Sequence, residues 1–360
     1  MSAEPGGVTA VAHANIALVK YWGKRDSTLM LPATSSVSLT LDAFRTTTHV
    51  ELLDAPAGRD EVVLDGEPLA GTALTKVLAF LHLVRSQEPR TATAQAARVT
   101  STNEVPTGAG LASSASAFAA LAGAAATAYG LDLGRRDLSR LARRGSGSAS
   151  RSVYGGFVVW HAGDLTDPAR GDLTSYAEPL PTAPELDVAM AVAVLDAGPK
   201  KIGSREAMAA TVATSPYFPA WTEHTEADAA EAADAIAAGD LPRLGEIAEA
   251  SAMRMHATML AARPAVRYLA ASSLAVLDAV ADLRAAGVGA WATMDAGPNV
   301  KVLCEGADLD VVAAGLRGIV LPGGGAPHVL LARPGPGLRI EASAALPAGV
   351  LASGAAEEPA

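Results

Sequence analysis

The chain has 360 residues, half of them hydrophobic, and a formal net charge of −10, so it is expected to fold as a globular protein with room for two ordinary domains. The acidic balance excludes general nucleic-acid binding, which needs surplus Lys and Arg to displace phosphate counterions, and leaves an anionic small ligand to be met by a local cluster of cations. No uninterrupted apolar run of about eighteen residues marks a membrane span, and Cys304 alone cannot form an internal disulfide.

The N-terminus shows no basic start with a long leucine-rich segment, so no secretory signal is expected and the cytoplasm is the expected compartment. β-Branched runs predict strands over 8–19, 46–53, 61–65 and 97–102. Helices follow over 115–129, rich in alanine, and 137–144, with Asp137 as the expected cap. GGFVVWHAG then returns to strand over 155–163. An acidic, proline-bearing connection over 164–184 leads to a buried strand over 187–198, which places the domain boundary between 186 and 187. Helical patterns cover 204–213, 223–238, 241–260 and 272–286, and 288–306 reads as two strands joined by a tight Asp-Ala-Gly-Pro-Asn turn. The tail over 336–360 alternates Pro, Gly and Ala and is expected to be loose.

PTGAGLASS (106–114) lies between a strand and the alanine-rich helix, the setting in which backbone N–H groups receive phosphate. Gly108 and Gly110 allow positive φ and close approach, while Ser113 and Ser114 offer hydroxyls to phosphate or Mg2+. Read alone, the string also fits a turn that caps a helix, and it is not a Walker A loop. NIALVKYWGKR (15–25) gathers Lys20, Tyr21, Trp22, Lys24 and Arg25 at a strand end. Solvated charges finishing an edge strand would look alike, although Tyr21 and Trp22 suit a half-buried pocket. RRGSGSASRS (143–152) sets Ser146 and Ser148 beside Arg151, either as a flexible linker or as a clamp whose guanidinium holds a carboxylate or phosphate by two parallel hydrogen bonds. Asp295 ends a strand in MDAGPNVKV and is either a turn former or a carboxylate reaching a cleft. His256, on an apolar helix, reads as structural, Cys304 as inert, and the scattered histidines give no zinc spacing.

These strings resemble the motifs of diphosphomevalonate decarboxylases in the GHMP small-molecule kinase superfamily: NIALVKYWGK the N-terminal signature, PTGAGLASSA the phosphate loop, then GSGSASRS and DAGPN, in that order. The resemblance implies an α+β fold of two domains, with an N-terminal ribosomal-protein-type α/β unit over 1–186 that binds ATP, a ferredoxin-like unit over 187–335, and the active site in the groove between them. It implies that ATP with Mg2+ phosphorylates the tertiary 3-hydroxyl of mevalonate 5-diphosphate, and that loss of phosphate and CO2 leaves isopentenyl diphosphate, a step of isoprenoid biosynthesis, in a homodimer.

The implied roles fall on particular residues. Pro106, Gly108, Ala109, Gly110, Leu111, Ala112, Ser113 and Ser114 would cradle ATP, with Ser113 or Ser114 on Mg2+. Lys20, Tyr21 and Lys24 would meet the substrate's diphosphate and carboxylate, and Lys20 would also steady developing charge. Trp22 would contact the ligand or pack beneath the loop. Ser146, Ser148, Ser204 and Arg205 would bind the diphosphate and Arg151 the carboxylate, while Asp295 would act as base toward the tertiary hydroxyl. Two alternatives stand beside this reading: a relative that stops at phosphorylation or takes the monophosphate, and a GHMP-like binding protein without turnover.

Overall fold

The computed structural model describes residues 7–53, 58–87, 95–104, 113–196 and 202–342. Its first half runs through β1 (Val8–Val19), β2 (Lys24–Asp26), β3 (Leu31–Pro32), the long β4 (Ser36–Leu52), β5 (Glu61–Leu64), β6 (Glu67–Pro68) and helix α1 (Gly71–Ser86). It continues with β7 (Ala97–Asn103), α2 (Ser113–Ala128), α3 (Arg135–Gly145), a 3-10 turn (Gly147–Val153), β8 (Phe157–Trp160), α4 (Pro168–Thr174) and β9 (Ala177–Pro179). The second half holds β10 (Val188–Val194), α5 (Ser204–Thr214), α6 (Phe218–Ala238), α7 (Leu241–Leu260), α8 (Ala271–Ala285), β11 (Ala290–Met294), β12 (Val300–Glu305), α9 (Leu309–Arg317), β13 (His328–Ala332) and β14 (Arg339–Ala342).

Two sheets organise most of these elements, and β2 and β3 pair as a separate two-stranded ribbon. In the larger, the strands run β14-β1-β4-β7-β5-β6, with β8 and β9 attached through the first part of β4. The smaller is β11-β12-β10-β13, antiparallel throughout. Strand alternation sorts the smaller sheet's side chains between two cores. Ala189, Ala191 and Ala193 of β10 join Val276, Val280, Val312 and Leu316 of α8 and α9. Val188, Met190 and Val192 turn the other way, onto Ala232, Leu244 and Ala248 of α6 and α7. That second core also takes Ile16 and Leu18 of β1, so α6 and α7 lie between the sheets and bind the halves together. Ala10 and Ala12 of β1 belong instead to a third core with α2 and α3, and a register shift between His13 and Asn15 coincides with the switch. No helix among the described residues is long and apolar enough to cross a membrane.

Several expectations need correction. The connection over 164–184 holds α4, capped by Asp167 accepting from the backbone N–H groups of Ala169 and Arg170, and then β9, which pairs with β8. Asp137 is not the cap of α3; Gly134 holds that position, and Asp137 sits in the first turn, 2.8 Å from Arg140. The tail expected to be loose returns to the large sheet, where β14 pairs antiparallel with β1 from Val8↔Ala342 to Val11↔Arg339; residues 343–360 lie outside the described residues. Helices α1 and α9 were not anticipated, α1 because it has no side-chain cap and only Phe80, Leu81 and Val84 are fully buried, α9 because it has only 9 residues.

Candidate active site

The loops at the ends of β1 and β11 converge where the halves meet. Lys20 follows β1 directly; its backbone N–H donates to Ser251 Oγ on α7 at 3.1 Å, and its Nζ donates to Ala17 O at 2.6 Å and to Asp295 Oδ1 at 2.8 Å. Asp295 follows β11, and its other oxygen, Oδ2, lies 3.0 Å from Nζ of Lys301 on β12. Both lysines are 1% exposed, while Asp295 keeps 27% of its side chain open. A single carboxylate therefore sits between two buried ammonium groups and still faces out on one side. Burial alone would raise its pKa, but Lys20 and Lys301 outweigh that and hold it well below the usual carboxylate range. Burial also pushes Lys20 down to about 8, against the pull of Asp295.

Arg151 comes from the 3-10 turn and is 3% exposed. Its Nε donates to Asn15 Oδ1 at 3.0 Å and its Nη1 to Ser36 Oγ at 2.8 Å. Asn15 is itself fixed by donating to Ser152 Oγ at 2.8 Å and to Ser148 O at 3.0 Å. The guanidinium thus reaches the site from a rigid mount, and the charge of Asp295 acts on it. The segment over 143–152 is the end of α3 and a buried 3-10 turn, not a flexible linker.

A rim of hydroxyls and cations adjoins this centre. Ser146 Oγ lies 3.2 Å from Ser114 Oγ at the start of α2 and 3.5 Å from Ser148 Oγ. Tyr21 stacks edge-on against Trp160 with ring centroids 4.8 Å apart, and its hydroxyl is buried without a hydrogen-bond partner. Burial drives the Tyr21 pKa up against the opposing charges of Arg151 and Arg205, so the phenol stays a proton donor. Lys24 is pushed down to about 8 by burial and by two further cations, Arg205 and Lys76. Arg205 Nη2 donates to Gly145 O at 3.2 Å, which brings α5 against the end of α3. Such a concentration of positive charge in an acidic protein is the local cluster that an anionic ligand requires.

Not every sequence expectation lands here. Trp22 is 2% exposed and packs with Trp221, Met255, Met259 and Tyr268, in the core beneath the loop, the second of the two places expected for it. Ser204, by contrast, opens α5 next to Arg205 of the rim, where it hydrogen-bonds the Tyr268 hydroxyl. Arg25 points elsewhere, donating to Pro32 O at 2.5 Å and to Asp164 O at 2.8 Å. Residues Pro106, Gly108, Ala109, Gly110, Leu111 and Ala112 of the glycine loop lie outside the described residues, as does the side chain of Ser113. Sequence reasoning missed Lys301, Lys76, Asn15 and Ser36. Lys301 was in view, two residues beyond Asn299 in the Asp295 string, and the strand alternation of β12 puts it on the same face as Leu303, toward α7. His256 on α7 is buried and hydrogen-bonds the backbone of Asp295; burial and Lys20 push it down to about 4, which keeps it neutral at physiological pH.

An apolar cavity of about 80 Å³ opens beside the first turns of α2, lined by Val62, Leu64, Val77, Val99, Phe118 and Leu121. Among the described residues no group of three or more His, Cys, Asp or Glu side chains could hold a metal ion. Hydroxyls such as Ser114 and Ser146 are the oxygen donors within reach, which fits Mg2+ arriving on a polyphosphate and keeping most of its ligands from phosphate and water.

Comparison with known proteins agrees with this geometry. A model of the diphosphomevalonate decarboxylase-like N-terminal domain matches residues 12–177, and one of the mevalonate 5-diphosphate decarboxylase C-terminal domain matches residues 190–329. Diphosphomevalonate decarboxylase of Aspergillus fumigatus is 37% identical over 328 residues, 87% of this chain and 80% of that protein. The solved mevalonate diphosphate decarboxylase from Staphylococcus aureus superposes with a TM-score of 0.85 at 41% identity, covering 93% of this chain and 98% of that one. A solved chain in complex with MVAPP, AMPPCP and magnesium gives a TM-score of 0.85 at 44% identity, covering 93% and 99%. The fold is thus the two-domain α+β fold of these enzymes.

Proposed function

The chain belongs to the diphosphomevalonate decarboxylase family, and from that premise we propose that it converts mevalonate 5-diphosphate and ATP into isopentenyl diphosphate, ADP, phosphate and CO2. The observation that carries this reading is the Asp295 carboxylate, held ionised between Lys20 and Lys301 and within the field of Arg151. A tertiary alcohol needs an acceptor for its proton, and a cation that orients the neighbouring carboxylate can align the bond that must break.

In this reading the substrate hydroxyl donates to Asp295, whose partly open side faces out of the lysine pair. Two flanking ammonium groups make Asp295 a weak base, so it first orients the oxygen. The proton transfers as the P–O bond forms and the hydroxyl becomes acidic. The γ-phosphoryl group moves to that oxygen and ADP leaves. The C–O bond then breaks with release of phosphate, the bond to the carboxylate breaks with release of CO2, and the electron pair left behind closes the double bond. Lys20 stabilises the charge that builds on the transferring group, and Arg151 holds the substrate carboxylate by its planar fork.

Tyr21, Lys24, Ser146, Ser148, Ser204 and Arg205 are assigned to the diphosphate, joined by Lys76, whose charge acts on Lys24. The glycine loop and Ser114 are assigned to ATP, Ser114 or Ser113 would hold Mg2+, which supplies charge neutralisation on the phosphates, and the cavity at α2 would take the apolar base. The division at 186/187, the cytoplasm and a homodimeric state belong to the same reading. Supplying mevalonate 5-diphosphate or the monophosphate with MgATP and following both ADP and CO2 tests it. Turnover with the diphosphate at least about tenfold above the monophosphate is expected from the several cationic contacts that a second phosphate gains; equal rates would overturn the diphosphate assignment.

A further inference from the structure

The two lysines on Asp295 do not have equivalent mounts. Lys301 and Asp295 stand on one hairpin, since β11 and β12 pair Thr293 with Lys301 and Met294 with Val300, so the 3.0 Å contact at Oδ2 is internal to a rigid unit. Lys20 comes from the end of β1 in the other sheet, and its 2.8 Å bond to Oδ1 crosses between the halves of the chain. Each ammonium takes its own carboxylate oxygen, Lys20 at Oδ1 and Lys301 at Oδ2. A ligand that recruits Lys20 would take away one counter-charge of Asp295 and leave the other in place.

We propose that Lys301 is the positioning residue that holds Asp295 ionised and oriented while Lys20 leaves it for the substrate. The lysines divide the work: Lys301 serves the carboxylate throughout, and Lys20 alternates between the carboxylate and the reacting groups. Without Lys301, Lys20 would be the one ammonium left in contact with Asp295 and would be released less readily. This inference rests on the reaction proposed above.

The groups that face this ion pair are Lys20 after β1, Asp295 after β11, His256 on α7 and Arg151 in the 3-10 turn. His256 is pushed down to about 4 and Asp295 lies lower still, so neither titrates between pH 6 and 10. Lys20 and Lys24 do, both at about 8, but the neighbours that depress Lys24 are Arg205 and Lys76, whereas Lys301 is among those that depress Lys20. Removing the Lys301 charge should therefore raise the Lys20 titration and leave that of Lys24 in place.

The test is the pH profile of kcat and kcat/KM for the full-length Lys301→Met enzyme with mevalonate 5-diphosphate and MgATP, beside the wild type. The expected result is a kcat lowered by about tenfold or more with KM for ATP unchanged, together with an upward move of one alkaline pKa by at least about half a unit. Lys301→Arg should restore most of kcat. An alkaline limb that stays in place in a folded Lys301→Met enzyme overturns the inference. Should that variant fail to fold, Lys301→Gln takes its place and is judged by the same limb. Wild-type turnover in the same assay separates the two claims: a wild type that releases no CO2 refutes the reaction, while an active wild type with an unmoved variant limb refutes only the role of Lys301.

Discussion

Asp295→Asn removes one charge and almost no volume, and leaves Lys20 and Lys301 buried without an anion between them. Breaking a buried pair by deleting one partner costs about 3–5 kcal/mol. Because Asp295 retains 27% exposure of its side chain, the lower end is expected, about 3 kcal/mol at pH 7. A ceiling comes from the lysine itself, which can shed its proton instead: neutralising an ammonium of ordinary pKa near 10.4 at pH 7 costs roughly 4–5 kcal/mol, and at pH 9.5 only about 1 kcal/mol. The sign follows from the direction of the shift. A lysine whose folded pKa lies below its unfolded value is destabilising in full below the folded pKa, and that cost disappears as pH rises toward the unfolded value. The stability deficit of Asp295→Asn should therefore shrink as pH rises from about 7 to about 9.5. Urea unfolding of both proteins at the two pH values measures it, and turnover at pH 7 should fall by about a hundredfold or more. An equal deficit at both pH values, or near wild-type turnover, would refute the charge account of this site.

Three other outcomes are expected. Arg151→Lys replaces a planar fork tied to Asn15 and Ser36 with a single ammonium, and should lower kcat/KM for mevalonate 5-diphosphate by about tenfold or more while leaving KM for ATP nearly unchanged. Activity of the wild type should decline as pH rises through about 8, where Lys20 and Lys24 lose their protons, and a profile still flat at pH 9.5 would contradict their charged roles. A Cβ at Gly147 would stand 2.9 Å from the Trp160 ring and 3.0 Å from the Tyr21 hydroxyl, so Gly147→Ala should cost about 1–3 kcal/mol by urea unfolding and raise KM for the diphosphate through displacement of Tyr21.

Much of the architecture was legible because its signals are local. The β-branched run of β1, the alanine-rich α2 and the Asp-Ala-Gly-Pro-Asn turn each declare themselves within about a dozen residues. β14 did not, since Pro and Gly surround a strand whose reason for existing is the free edge of β1, more than 300 residues earlier in the chain. The site shows the same division. Lys20, Arg151 and Asp295 stand in strings that carry their chemistry openly, and the structure brings Lys20 and Asp295 together at 2.8 Å. Asn15 and Ser36 were unreadable as site residues because they act only by holding Arg151. Lys301 looked like an ordinary charge in a strand until the hairpin register turned it onto Asp295, and of the two places open to Trp22 the structure shows the packing one.

The most direct measurement is the product balance of a reaction with ATP, Mg2+ and mevalonate 5-diphosphate labelled at the carboxylate. If Asp295, Lys20 and Arg151 act together on a tertiary alcohol and its neighbouring acid, CO2, phosphate and ADP appear in equal amounts with isopentenyl diphosphate. Release of ADP while the label stays in solution would mean that the protein only phosphorylates its substrate, and the account of the site as a decarboxylation centre would be wrong.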